Sequence, residues 1–393
     1  MNLNHTYNKE YNLLKSGICA CPGIASGRVC IWDNDAENNF NSGDILFLID
    51  LTLEIPFWAI QKSSAIISCR HTSYSHLASF AMALNKPCVV GAVFGSIPDN
   101  HSFVAIDSWQ KKVEYIDLNC DNTLLMSDSE KKWLQAVAGN VSEKLYSRNK
   151  GILVHAITLK GTEFYLNNVA GIFFDSIIFK QNTHDILTIK NSIYKICNLY
   201  PDIKIYYRFS INVICGEDNA SLYEREIEFV NSLLNKGIQI CVFIANVSSY
   251  NEVILFRKFI NTRLLMNKPI KIGVMIENKA MIESLDSIVS DKLIDFAAIG
   301  INDLMSSVLN LERDDPKNQD SFRLDVESIS NALLAVSNIL TMWHIPYYIG
   351  FPKYQNFLFD FKLLSNFGYS DFFGTHSLFV ITQKYGAHEN ENK

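Results

Sequence analysis

After residue 150, eight short apolar runs recur at a steady interval, and that rhythm leaves few folds open to the chain. The runs cover 152–158, 171–179, 204–209, 239–244, 271–277, 296–300, 346–350 and 371–375. Each is strand-length and apolar enough to be buried on both faces. Between them lie stretches long enough for a helix, such as 223–234 and 325–340. Parallel neighbours need a crossover of about a dozen residues or more, so strands alternating with helices imply a parallel sheet. Eight such units over residues 151–385 match a (β/α)8 TIM barrel, while periodicity leaves a doubly wound α/β sheet open as the rival.

The chain before the barrel has another texture. Residues 1–15 are polar and read as a loose lead-in. From 16 to 118, short apolar runs at 27–32, 44–49 and 64–68 are broken by Gly, Pro and Asp, with one helix-like stretch at 75–84. This predicts a small mixed α/β domain. Residues 119–150 carry charges at helical spacing and read as a polar helical connector, and 386–393 form a polar tail. A chain of 393 residues is too long for one ordinary core and suits two domains.

Composition excludes several function classes. A hydrophobic fraction of 48% argues against wholesale disorder. A net charge of −6, with no basic stripe, argues against nucleic-acid binding. No apolar run reaches the roughly 18 residues of a membrane span, and the N-terminus has no apolar signal core. The nine cysteines are scattered, mostly inside apolar runs, and Cys19 and Cys21 have no second Cys/His pair nearby. A reduced, cytoplasmic protein is expected.

In a barrel, function sits at the C-terminal strand ends. The third run ends at Arg208, the fifth at Glu277, and the sixth leads into Gly300-Ile301-Asn302-Asp303. Two carboxylates on neighbouring strand ends suit a hard cation such as Mg2+, which keeps open positions for substrate oxygens. Arg208 and Arg313 would hold phosphate in fork geometry. In the first domain the candidate is His76, which follows a buried strand and a hydroxyl-rich turn and opens a helix. Such a helix start attracts a phosphoryl group, and neutral imidazole is a competent nucleophile. On these grounds alone, a histidine that merely caps a helix stays open.

Two ordered blocks resemble the PEP-utilising enzymes: PEP synthase, pyruvate phosphate dikinase and enzyme I of the sugar phosphotransferase system. Ser16 to Gly27 (SGICACPGIASG) is similar to the opening of that family's mobile, swivelling phosphohistidine domain, and GDIL follows at Gly43 to Leu46. Ser75-His76 is followed, eleven residues after the histidine, by Pro87-Cys88-Val89-Val90-Gly91, like the family's TSH…P-x-V-V-G segment. Gly273 to Glu277 (GVMIE) and Ile299 to Leu304 (IGINDL) resemble its barrel motifs, and Arg313 falls on the arginine of its D-R pair. The resemblance implies a phosphohistidine domain followed by a PEP-binding TIM barrel. His76 would be the phosphorylated histidine, and Glu277 and Asp303 the Mg2+ ligands. Arg208, Asn302 and Arg313 would contact phosphate, with Ser73 and Ser75 supporting the phosphohistidine loop. The family often dimerises through its barrel, so the resemblance leaves a homodimer open, although no residue here argues it.

The departures are specific. The family's Gly-Gly is His71-Thr72 here, and its Thr is Tyr74. The first-half barrel motif, of G-L-x-R-T-E type, corresponds to Gly171 to Phe179 and has neither Arg nor Glu. The family's Cys after strand seven, which protonates enolpyruvate, has no counterpart, since no Cys follows Cys241. An ATP-grasp domain and a helical carrier-protein insert are not recognised. Two expectations follow. One is a phosphotransferase that relays a phosphoryl group through His76 between a separate ATP-grasp subunit and a small-molecule acceptor or PEP-like ligand. The other is a catalytically degenerate paralogue that binds a ligand or acts in regulation.

Overall fold

The structure is a computed structural model that describes residues 12–33, 36–49, 55–84, 86–115, 152–155, 171–175, 183–209, 220–264, 270–350, 357–369 and 371–374. The expected connector at 119–150 and the tail at 386–393 lie outside the described residues. The chain divides into two units, Met1–Leu134 with Asp314–Gln319, and Gln135–Arg313 with Asp320–Lys393.

The first unit is a seven-stranded sheet of order β1-β5-β4-β3-β2-β6-β7. Its strands are β1 (Leu14–Cys21), β2 (Ile24–Ile31), β3 (Ile45–Leu48), β4 (Ala65–Ser68), β5 (Cys88–Phe94), β6 (Phe103–Asp107) and β7 (Lys112–Tyr115). The central strands β2 to β5 run parallel, and β1, β6 and β7 pair antiparallel. Along β3, Ile45 and Phe47 enter one core layer while Leu46 and Leu48 enter the other. Burial on both faces is why the run ILFL is continuously apolar. The Leu46 face is covered by α1 (Ala36–Asn39), α2 (Phe57–Lys62) and α3 (His76–Ala83), through Ala36, Ala59, Ile60, Leu77, Ala78 and Ala81. The sheet's two edges also meet: Leu13 N–H donates to the Val113 carbonyl at 2.8 Å. Asn12 bridges them as well, accepting from Val113 N–H at 2.9 Å and donating to the Lys111 carbonyl at 3.0 Å. Edge groups that would otherwise template foreign strands are thereby satisfied.

The second unit is the barrel. Its strands are β8 (Ile152–His155), β9 (Gly171–Asp175), β10 (Lys204–Phe209), β11 (Ile240–Ile244), β12 (Lys271–Ile276), β13 (Phe296–Ile299), β14 (Tyr347–Gly350) and β15 (Phe372–Gly374). They close in chain order with every neighbour parallel, β15 pairing β8. All eight apolar runs therefore became barrel strands, and the doubly wound alternative falls away. The crossovers carry α4 (Thr183–Leu199), α5 (Ala220–Asn235), α6 (Tyr250–Arg263), α7 (Lys279–Ser290), α8 (Ile301–Leu309), α9 (Glu327–Met342) and α10 (Phe357–Asn366). Phe173, Tyr206, Cys241, Phe243, Met275, Phe296 and Ala298 fill the interior. Gly273 is required there: a Cβ on it would stand 2.6 Å from the Phe296 ring, so the glycine admits the aromatic filler. Among the described residues no helix is long and apolar enough to cross a membrane. The described cysteines are free thiols, and Cys19, Cys21, Cys30, Cys88 and Cys241 are buried.

Candidate functional site

Glu277 follows the last residue of β12, at the end of the barrel where the strands finish. It is 5% exposed, and its Oε2 accepts from the Asn246 backbone N–H at 2.8 Å. Asn246 has φ +58°, a left-handed conformation that asparagine tolerates better than most residues, and this aims its N–H at the carboxylate. The next residue, Asn278, caps α7 by accepting from Met281 N–H and donates to the Val247 carbonyl. These bonds fix the turn that carries Glu277.

The neighbouring strand supplies the second carboxylate. Gly300 is the N-cap of α8, and Asn302 and Asp303 lie in the first helical turn. An acidic group there is favoured by the exposed N–H groups and the helix dipole. Asp303 pairs with Arg313 at 2.7 Å, and Arg313 itself is 8% exposed. The Asn302 Oδ1 is buried without a hydrogen-bond partner, which carries a cost unless a ligand or ion satisfies it. On β10, Arg208 places NH1 3.9 Å from Glu277 Oε1 and 3.1 Å from the Met275 sulfur, with its guanidinium 5.5 Å above the Phe173 ring centre.

Electrostatically this is a balanced cluster under strain. Burial pushes the Glu277 carboxyl up to about 7, the Arg208 guanidinium opposes that shift, and the Asp303 carboxylate reinforces it. That influence of the Asp303 carboxylate on Glu277 marks the two as neighbours. Among the described residues no group of three or more His, Cys, Asp or Glu side chains forms a metal cage. Two carboxylates beside an unsatisfied amide oxygen are nonetheless a hard-oxygen donor set of the kind Mg2+ accepts while keeping open positions.

Gly300 has a local reason. A Cβ at this position would lie 2.7 Å from both Cγ and Oε1 of Glu277 and 3.0 Å from the Met275 methyl. Gly300→Ala should therefore displace the carboxylate. The expected outcome is a cation affinity lowered about ten-fold or more, with stability reduced by about 1–3 kcal/mol for overpacking. Calorimetric Mg2+ titration with thermal unfolding checks this; wild-type affinity in the variant would show that Glu277 does not hold a cation.

In the first unit, β4 ends at Ser68 and a loop leads from it to the histidine at the start of α3. His76 is the first residue of α3 and is exposed, while Thr72 to Ser75 are buried. Ser75 is the N-cap: its hydroxyl accepts from Ala78 N–H at 3.2 Å and donates to the Thr72 carbonyl at 2.8 Å. Ser73 donates its backbone N–H to Gln319 Oε1 at 2.8 Å, and its hydroxyl contacts the same amide. Both hydroxyls are thus engaged within the unit, Ser75 in capping. His71, where the family has its first glycine, sets Nδ1 2.6 Å from the Ser68 hydroxyl, and burial lowers its basicity. Asn246, Met275, Phe173 and the Ser68–His71 pair all escaped the sequence reading.

Two family models match parts of the sequence. Residues 213–340 match the family model described as PEP-utilising enzyme, PEP-binding domain. Residues 40–110 match that of the PEP-utilising enzyme mobile domain. The two stretches make up about half of the 393 residues. No curated protein matches the sequence. Solved structures with a similar chain path include an HpcH/HpaI aldolase/citrate lyase family protein from Burkholderia cenocepacia J2315, at 9% identity, covering 67% of this chain and 99% of that one, with TM-score 0.43. A citrate lyase from Burkholderia xenovorans LB400 has 11% identity, coverage of 60% and 77%, and TM-score 0.44. The protein CitE from Mycobacterium tuberculosis, in complex with magnesium and acetoacetate, has 10% identity, coverage of 60% and 90%, and TM-score 0.41. With a mobile-domain match around His76 and a PEP-binding-domain match across Glu277 and Asp303, the chain belongs to the PEP-utilising enzyme family.

Proposed function

We propose that the chain is a phosphotransferase. It carries a phosphoryl group on His76 and exchanges it with a small molecule held at the barrel mouth. The observation that carries this reading is the assembly of Glu277, Asn302, Asp303, Arg208 and Arg313 around the ends of β10, β12 and β13. A carboxylate pair, an unsatisfied amide and two guanidiniums form an anion-and-cation site rather than a structural core.

The chemistry assigned to the chain's own groups is simple. An imidazole nitrogen of His76 attacks phosphorus; the P–N bond forms as the donor P–O bond breaks, and the electron pair leaves on the donor oxygen. In the second half an acceptor oxygen attacks, the P–O bond forms, the P–N bond breaks and the imidazole recovers its lone pair. Arg208 and Arg313 orient the phosphoryl oxygens, and Asn302 offers its amide. Mg2+ held by Glu277 and Asp303 would supply a hard positive charge for those oxygens. A separate ATP-grasp subunit is the proposed donor partner. The segment 119–150 is the proposed connector that lets the histidine travel between donor and barrel.

Simple interconversion of PEP and pyruvate is not the proposed reaction. Tyr347 turns its hydroxyl to Ser337, Thr341 and the Gly368 carbonyl, outside the barrel lumen. Tyr348 bonds the Tyr206 hydroxyl at 3.0 Å, and burial raises its pKa further from neutrality. Neither replaces the missing Cys as an acid, and a positioned acid contributes about 10²–10⁴-fold. The test is intact-mass analysis with Mg2+ and PEP, or with ATP and a candidate ATP-grasp partner, alongside pyruvate release. The expected result is a phosphorylated chain with pyruvate formation slower by that factor than in family members that retain the Cys. An unmodified chain under every donor would hand the protein to the ligand-binding reading instead.

A further inference from the structure

We propose that Phe173 and Met275 are positioning residues that hold the Arg208 guanidinium in place for a phosphoryl or carboxylate oxyanion at the barrel mouth. The proposal rests on the reading of that mouth as an anion site, and assigns to two apolar residues a part in it.

The geometry is specific. Arg208 NH1 is 3.1 Å from the Met275 sulfur, and the guanidinium carbon lies 5.5 Å over the Phe173 ring centre. The Glu277 carboxylate stands 3.9 Å from the same nitrogen, beyond hydrogen-bond length. A thioether is a weak acceptor, and a ring face attracts a cation through its quadrupole. Neither carries a formal negative charge. The two contacts fix the direction of the guanidinium beside its longer ion pair with Glu277.

The supports cannot easily turn aside. Phe173 is 2% exposed and packs on Phe243 at 5.3 Å between ring centres. Phe243 meets Phe296 at 5.7 Å, and Phe296 meets Tyr206 at 5.3 Å. Gly273 makes room for Phe296. Met275 is 4% exposed and its methyl lies against Gly300, which also accommodates Glu277. The aromatic floor of the barrel is thus continuous with the platform beneath Arg208, and Met275 contacts the elements that hold the cation and the anion sides of the mouth.

The test is calorimetric titration of PEP, with Mg2+ present, into the full-length chain carrying His76→Ala, so that binding is read without transfer. Phe173→Leu and Met275→Leu should each weaken PEP binding about five- to ten-fold, the size expected from losing one cation–π or sulfur contact. Phe173→Tyr, which keeps the ring face, should bind as the reference does. Mg2+ affinity measured alone should not change in Phe173→Leu. In an Arg208→Ala background, Phe173→Leu should have no further effect, because its action passes through the guanidinium. Met275→Leu is nearly isosteric and keeps the test open should Phe173→Leu fold poorly. A reference chain that binds no PEP overturns the anion-site reading together with this proposal. A reference chain that binds, with both leucine variants equal to it or equally weakened without Arg208, overturns this proposal alone.

Discussion

Incubated with a phosphoryl donor, the wild-type chain should take up an acid-labile label and His76→Ala should take up none. A phosphoramidate survives base and hydrolyses in brief acid, whereas a serine phosphate does the reverse. The label therefore reports its own attachment site. His76 is exposed at the first position of α3, where backbone N–H groups lack helical partners and favour an incoming anion. Ser75 provides the control. Its buried hydroxyl caps the helix, so Ser75→Ala should cost about 1 kcal/mol of stability and still label. Label retained by His76→Ala would end the histidine relay. Label lost in Ser75→Ala at full folding would move Ser75 from the cap to the phosphoryl group.

The barrel was legible in the sequence because its strands are buried on both faces and read as separate apolar runs. The site's charged members were legible for a related reason: Glu277 and Asp303 interrupt or follow those runs where a core residue would be expected. Phe173 and Met275 were not, since an aromatic or a methionine at an inward strand position looks identical to ordinary packing. Asn246 contributes a backbone N–H, which any residue but proline possesses. Its one sequence sign is an asparagine directly after a strand, suited to left-handed backbone. Ser75 was legible as a hydroxyl beside His76, but only its burial and its bond to Ala78 reveal the cap. The closing of the first sheet by Asn12 and Val113 joins residues far apart in the chain, and local pattern carries no trace of it. Asn12 falls within the stretch read as a loose lead-in for the same reason.

Mg2+ binding should depend on Glu277 and on pH, with the dependence vanishing when Glu277 is replaced. Burial raises this carboxyl to about 7 despite the Arg208 guanidinium and the Asn246 N–H, which favour its ionised form. A hard cation binds the ionised form, so protons compete with it below that value. Affinity should be level above pH 7 and fall toward ten-fold per pH unit below it. Glu277→Gln keeps the shape and removes the charge. Its Mg2+ affinity should drop by about 100-fold or more, and the residual binding should lose its slope through this window. The same shift has a sign for stability without cation. The folded state holds this proton more tightly than the unfolded chain, whose value is near 4.5. The resulting stabilisation is complete below 4.5 and is lost as pH rises through about 7, where the buried carboxylate must ionise. Thermal unfolding in chelator should therefore show wild type losing stability across that interval relative to Glu277→Gln, and Mg2+ should restore it at the alkaline end. Equal Mg2+ affinity in the two proteins, or parallel pH profiles, would mean that a group other than Glu277 holds the cation.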